Sequence, residues 1–147
     1  MVREQTVTPY MCVRGAEAAI QFYKDVFGAR ELFRLTDPGD GRIGHAELVI
    51  GGAEIYIADE YPDFGALGPD AIGGTPVTLH LSVTDCDVAC ARAEAAGAIV
   101  LRRPADQFFG ERTAQIQDPW GHRWFLAQWI EDVTPETMQA RWNGSAG

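Results

Sequence analysis

The sequence predicts an α+β domain built from two βαβββ modules that together form a cupped mixed sheet. Three observations carry this prediction. Glycines recur at one offset: 97 − 28, 110 − 41 and 121 − 52 each equal 69. Apolar residues at helical spacing follow the first strand of each half and end at a glycine. The pair Gly51-Gly52 separates two strand-like runs, as in a two-residue hairpin. Glycines shared at one offset, where both halves need stops and turns, mark an internal repeat.

The elements follow in order. Val7 to Val13 reads as a strand. Ala16, Ala19, Ile20, Tyr23, Val26 and Phe27 share one helical face, and Gly28 stops the helix. Strands are expected near Glu31 to Leu35, then over Ile43 to Ile50 and Ala53 to Ala58. Residues 5–61 form module one, and the Gly-, Pro- and Asp-rich residues 62–75 form a connecting loop. Module two, residues 76–130, repeats the pattern. Val77 to Val83 is a strand, Asp85 or a neighbour caps an alanine-rich helix, and Gly97 ends it. Strands follow at Ile99 to Arg102, Thr113 to Gln117 and His122 to Ile130. A C-terminal helical tail covers residues 134–143, with Pro135 in its first turn.

Composition narrows the function classes. A net charge of −9 argues against binding nucleic acid phosphates, which requires clustered Lys and Arg. No run of 18 apolar residues is present, so no membrane span is expected. The start Met1-Val2-Arg3-Glu4 lacks a basic-then-apolar signal, so a cytoplasmic location is expected. Cys12, Cys86 and Cys90 match no metal-finger or CxxC spacing and read as small buried hydrophobes, with a redox role the alternative.

Several segments carry a family likeness: Ala19-Ile20-Gln21-Phe22-Tyr23, Val26-Phe27-Gly28-Ala29, Gly41-Arg42-Ile43-Gly44-His45-Ala46-Glu47-Leu48, Gly73-Gly74-Thr75-Pro76, Ala96-Gly97-Ala98 and Asp118-Pro119-Trp120-Gly121-His122-Arg123-Trp124. In their order and spacing the sequence resembles the vicinal oxygen chelate superfamily of glyoxalase I, bleomycin-resistance proteins and extradiol dioxygenases, above all its PhnB-like branch. The resemblance implies a glyoxalase/bleomycin-resistance-like fold, a small-molecule ligand or substrate, and a homodimer. It also places the metal-ligand positions of the superfamily's metal enzymes at Thr8, Tyr56, Thr78 and Phe125. None of these is a histidine or a carboxylate, so no metal cofactor is expected there.

Strand alternation names the residues that line the cup. The hairpin pairs Val49 with Glu54, Glu47 with Tyr56 and His45 with Ala58. His45, Glu47, Glu54 and Tyr56 then face the cup, while Ala46, Leu48, Ile55 and Ile57 face the helix. Thr8, Tyr10 and Cys12 join from the first strand, Thr78, His80 and Ser82 from the fifth, and Arg123 and Phe125 from the last. Glu47 either orients His45 or His80 as a general base or forms a surface cross-strand pair with His45. His80 is either a core histidine of a central strand or a ligand contact. A divalent metal held by His45, Glu47 and His80 is a further alternative. Arg123 either pairs with Glu54, its repeat mate, or anchors an anionic group. Tyr10, Tyr56 and Phe125 stack a planar ligand or fill the cup. Phe108 and Phe109 cover the cavity or meet a partner subunit, and Trp120, Trp129 and Trp142 serve packing or the dimer contact.

Two functions remain in view. One is a metal-independent protein that binds a small organic molecule on the concave sheet face. The other is a lyase, isomerase or epimerase of glyoxalase-like type that moves protons with His80, His45 and Glu47.

Overall fold

The computed structural model of the chain describes residues 3–145. Contacts divide it into two units, one ending at Gly74 and one beginning at Thr75.

Unit one runs β1 (Tyr10–Val13), α1 (Ala16–Phe27), β2 (Arg30–Thr36), β3 (Ile43–Ile50) and β4 (Ala53–Asp59). Its sheet has the order β1-β4-β3-β2, with β1 parallel to β4 and the other pairs antiparallel. The Gly51-Gly52 turn, with Gly51 at φ 58, sets Ile50 opposite Ala53 and Glu47 opposite Tyr56, the register expected from a two-residue loop. Ala46, Leu48, Ile55 and Ile57 are buried on the sheet face that meets α1, whose own buried residues include Ala19, Ile20, Tyr23 and Val26. Full burial stabilises each of the larger aliphatic side chains by roughly 1.5–3 kcal/mol. Gly15 starts α1 without a side-chain cap of its own, and buried Asp59 at the end of β4 does that work. Gly28, at φ 69, ends α1 in the left-handed conformation that its position predicts.

The first strand is shorter than its apolar pattern suggests. Val7 and Thr8 lie outside β1, and Val7 is exposed. Pro9 accepts from Tyr56 N through its carbonyl, but it has no N–H to return to the ladder. The connecting segment is also more ordered than a plain loop. It holds a 3-10 turn (Pro62–Phe64) and a short helix, α2 (Pro69–Ile72). It is tied to module one by Gly68 N donating to Glu60 Oε2 at 3.0 Å, while Arg14 Nε donates to Glu60 Oε1 at 2.6 Å.

Unit two runs β5 (Thr78–Ser82), α3 (Cys86–Ala95), β6 (Ile99–Asp106), β7 (Glu111–Gln117), β8 (Arg123–Trp129) and α4 (Pro135–Ser145). Its order, β5-β8-β7-β6, repeats that of unit one, again with the first strand parallel to the last. Asp85 caps α3 by accepting from Val88 N at 3.0 Å. Trp124, Leu126, Ile116, Ala114 and the α3 residues Cys86, Cys90 and Ala93 are buried. Asp118 accepts from Trp124 Nε1 at 3.0 Å and from two backbone N–H groups of the turn that follows it. β6 continues through Pro104, beyond the expected end at Arg102. It can do so because it is an edge strand, and its ladder slips between Arg102 and Ala105. α4 likewise outruns the expected tail, reaching Ser145. Among the described residues no helix is long and apolar enough to cross a membrane.

Candidate functional site

The outward face of the first sheet, away from α1, gathers the chemistry. His45 on β3 lies beside Glu47, two residues along the same strand, and its Nε2 is 2.9 Å from Glu47 Oε2. Its other ring nitrogen, Nδ1, is 2.6 Å from the hydroxyl of Tyr10, delivered from β1. A carboxylate only accepts, so Nε2 donates to Glu47, and in the neutral imidazole Nδ1 then accepts from the Tyr10 O–H. The result is a three-member chain, Tyr10 to His45 to Glu47, whose bonds run from the phenol to the carboxylate when the imidazole is neutral.

The chain sits within aromatic walls. The imidazole lies 5.0 Å from the Tyr56 ring, 5.3 Å from that of Tyr10 and 5.8 Å from that of Phe33. Tyr10 and Tyr56, paired in register on β1 and β4, meet edge to face at 5.6 Å. Phe33 and Leu35 reach the same face from β2, opposite Glu47 and His45. The His45 and Glu47 side chains are only about a fifth exposed, at 22% and 21%, whereas Tyr10 is 56% exposed. The more shielded end is thus the histidine–carboxylate end, and the phenol is the member that solvent reaches. Burial, reinforced by the negative charge available at Cys12 and Glu47, pushes the Tyr10 phenol above its ordinary range, so it remains a donor.

The remaining expected residues have definite places. Thr8 is half-buried just ahead of β1, and Glu54 is exposed beside the hairpin, opposite Val49. In unit two, His80 lies on β5, an edge strand of its sheet and not a central one, and its side chain is 53% exposed. That exposure rules out the core reading of His80. Its Nε2 is 3.4 Å from Glu111 Oε2. Phe125 pairs with His80 in register, and Arg123 pairs with Thr78. Phe108 packs edge to face on Phe109 at 5.2 Å and lies 5.7 Å from Trp142 of α4. Arg141 of the same helix donates to the Phe108 carbonyl at 2.7 Å.

Sequence reasoning singled out neither Phe33 nor Leu35 nor Glu111. The two β2 residues could have been found by extending the hairpin alternation one strand outward. Glu111 had no such signal, because its position depends on where β7 begins.

The superfamily's metal chemistry does not fit the donor set. At the positions where the resemblance implies metal ligands, unit one carries Thr8 and Tyr56 and unit two carries Thr78 and Phe125, which are two alcohols, a phenol and a hydrocarbon ring in place of imidazoles and carboxylates. Among the described residues no three or more His, Cys, Asp or Glu side chains are grouped to hold a metal ion.

Each unit is a βαβββ module whose parallel first and last strands lie side by side. The Glyoxalase/Bleomycin resistance protein/Dioxygenase superfamily model matches residues 5–126, and the chain belongs to that superfamily. It is 40% identical over 140 residues to an uncharacterised protein of Mycobacterium tuberculosis H37Rv, covering 93% of this chain and 82% of that one. Among solved structures it resembles TioX from Micromonospora sp. ML1, with TM-score 0.65 and 26% identity, covering 86% of this chain and 100% of that one. The PhnB protein of Bacillus cereus shares the fold, with TM-score 0.67 and 18% identity over 84% of this chain and 99% of that one.

Proposed function

We propose that the chain binds a small planar organic molecule on the outward sheet face of module one and needs no metal to do so. The observation that carries this reading is the aromatic setting of His45, with Tyr10, Tyr56 and Phe33 all within 6 Å by ring centroids. Rings held edge to face leave flat surfaces for a further planar group, and a half-exposed phenol supplies the polar contact that fixes its orientation. Thr8 and Glu54 border this surface. In the second module, taken by itself, Thr78, Arg123, Phe125, Phe108 and Phe109 are proposed as ligand contacts.

Titration of labelled protein with two bicyclic probes, 7-methoxycoumarin and 2-methoxynaphthalene, followed by amide shifts, tests this. Shifts centred on Tyr10, Phe33, His45, Glu47 and Tyr56, unchanged by a chelator, are expected. Shifts confined to other parts of the chain, or binding abolished by the chelator, would overturn the reading. The resemblance adds a homodimer to the proposal, and a monomer at micromolar concentration in sedimentation velocity would remove it.

A second reading is favoured by the Glu47–His45–Tyr10 chain itself. A histidine held between a carboxylate and a phenol is arranged to pass a proton, as a lyase, isomerase or epimerase would require. His80, 3.4 Å from Glu111, offers a second acid–base pair in the other module.

A further inference from the structure

We infer that the Tyr10–His45–Glu47 chain is a proton-coupled anchor for an uncharged, planar aromatic compound that bears a carbonyl-type acceptor. The inference rests on the binding reading above and adds the ligand's polar group and a linked proton.

The Tyr10 phenol has a single hydrogen to give. With a neutral imidazole, the Tyr10 O–H is committed to Nδ1 at 2.6 Å and is not available to a ligand. Turning that O–H toward a carbonyl oxygen would strip Nδ1 of its donor on a side chain that is itself about four-fifths shielded. An unsatisfied polar atom in such surroundings is costly. One proton taken from solvent onto Nδ1 removes the conflict. The imidazolium then donates through Nδ1 to the Tyr10 oxygen and through Nε2 to Glu47, which is already placed at 2.9 Å to balance the charge. Tyr10 is left with its O–H pointing outward, toward an acceptor. No covalent bond changes, and the proton balance closes with one proton gained from buffer for each acceptor bound.

The surroundings favour this exchange over its rivals. The groups sharing the face are Glu47 on β3, Tyr10 and Cys12 on β1, Tyr56 and Glu54 on β4, and Arg30 on β2. Arg30 pairs with Val49, beyond Glu47, while uncharged Phe33 and Leu35 stand nearest the imidazole on that side. The charge beside His45 is therefore negative, which disfavours an anionic ligand. A ligand that only donates could use the Tyr10 oxygen without disturbing the chain, and it would take up no proton. Proton uptake is thus specific to the acceptor class.

The two probes separate these cases. Histidine is the side chain whose charge changes in the physiological range, so the window from pH 8 to pH 6 is the informative one. Over it, 7-methoxycoumarin should bind more tightly as pH falls, by up to about tenfold per pH unit for one linked proton. Calorimetry in buffers of different ionisation enthalpy should register up to one proton taken up. The affinity of 2-methoxynaphthalene, which lacks the carbonyl, should not change with pH. Tyr10→Phe keeps the ring and its packing, and it should bind both probes without pH dependence. A flat coumarin profile in the wild type, or a slope that survives Tyr10→Phe, overturns the inference while the binding reading stands. If neither probe binds, both fall together.

Discussion

Asp59 and Gln128 are repeat mates, 128 − 59 = 69 positions apart, and each caps the helix of its own module. Asp59 Oδ1 accepts from Gly15 N at 3.0 Å and Ala16 N at 2.7 Å, while Oδ2 accepts from Ile43 N at 2.7 Å. Gln128 Oε1 accepts from Cys86 N, the first residue of α3, at 2.9 Å. The last strand of each module therefore holds the helix that follows the first strand. That bond closes the βαβββ unit around its parallel strand pair, a pairing that no tight turn can enforce.

The two caps are unequal, and the inequality is measurable. Asp59 is buried and is the partner of three N–H groups, whereas Asp85 supports α3 alongside Gln128. Asp59→Ala should cost about 2–4 kcal/mol and Gln128→Ala about 0.5–1.5 kcal/mol, from the typical cost of orphaned donors and lost caps. Urea unfolding at constant slope checks this. Equal losses for the two variants would contradict the account.

A charged cluster predicts how stability varies with acid. Glu31 on β2 accepts from Arg34 Nε at 2.6 Å and Nη2 at 3.0 Å, and from Lys24 Nζ of α1 at 3.0 Å. Its hydrogen bond to Arg34, opposed by burial and reinforced by Lys24, lowers its pKa to about 2. The folded value lies below the unfolded one, so the contribution is fully present above the ordinary carboxylate range and disappears as pH falls toward 2. Lys24 and Arg34 are about a third exposed, so solvent screening limits the gain. Glu31→Gln should lose about 1–2 kcal/mol at pH 7. Its stability should converge on that of the wild type as pH approaches 2, and a constant gap down to that pH would refute the assignment.

The strand pattern and the hairpin made much of this legible in advance. Gly51-Gly52 alone fixes Glu47 opposite Tyr56 and Val49 opposite Glu54, and alternation then sends His45 and Glu47 to one face. What escaped the sequence depends on contacts between distant segments. Tyr10 and His45 are both predicted to face outward, but their 2.6 Å bond depends on the exact register of a parallel pair. His80 resembles a core residue because Leu79 and Leu81 flank it. Its strand lies at the sheet edge, however, and both leucines are only half-buried. Pro9 and Pro104 show the same proline chemistry with opposite outcomes, one stopping a strand and the other tolerated within an edge strand.

The cysteines supply a last test, because burial and reactivity make the same prediction. Cys86 and Cys90 lie buried on α3, and the Cys86 thiol donates to Leu126 O at 3.4 Å. Burial, with Cys90 beside it, pushes the Cys86 thiol up to about 11, and burial raises Cys90 as well. The reactive species is the thiolate, so little of either is available at neutral pH. Half-buried Cys12 is also raised, by burial and then by Glu60 and Asp59, but it is the thiol nearest to solvent. At pH 7.5 a colorimetric disulfide reagent should therefore titrate at most one slow thiol in the native protein and all three after denaturation. The single native adduct should map to Cys12, and it should vanish in Cys12→Ser. Rapid reaction of two thiols in the folded chain would show that α3 opens readily, and the packing described for module two would then be wrong.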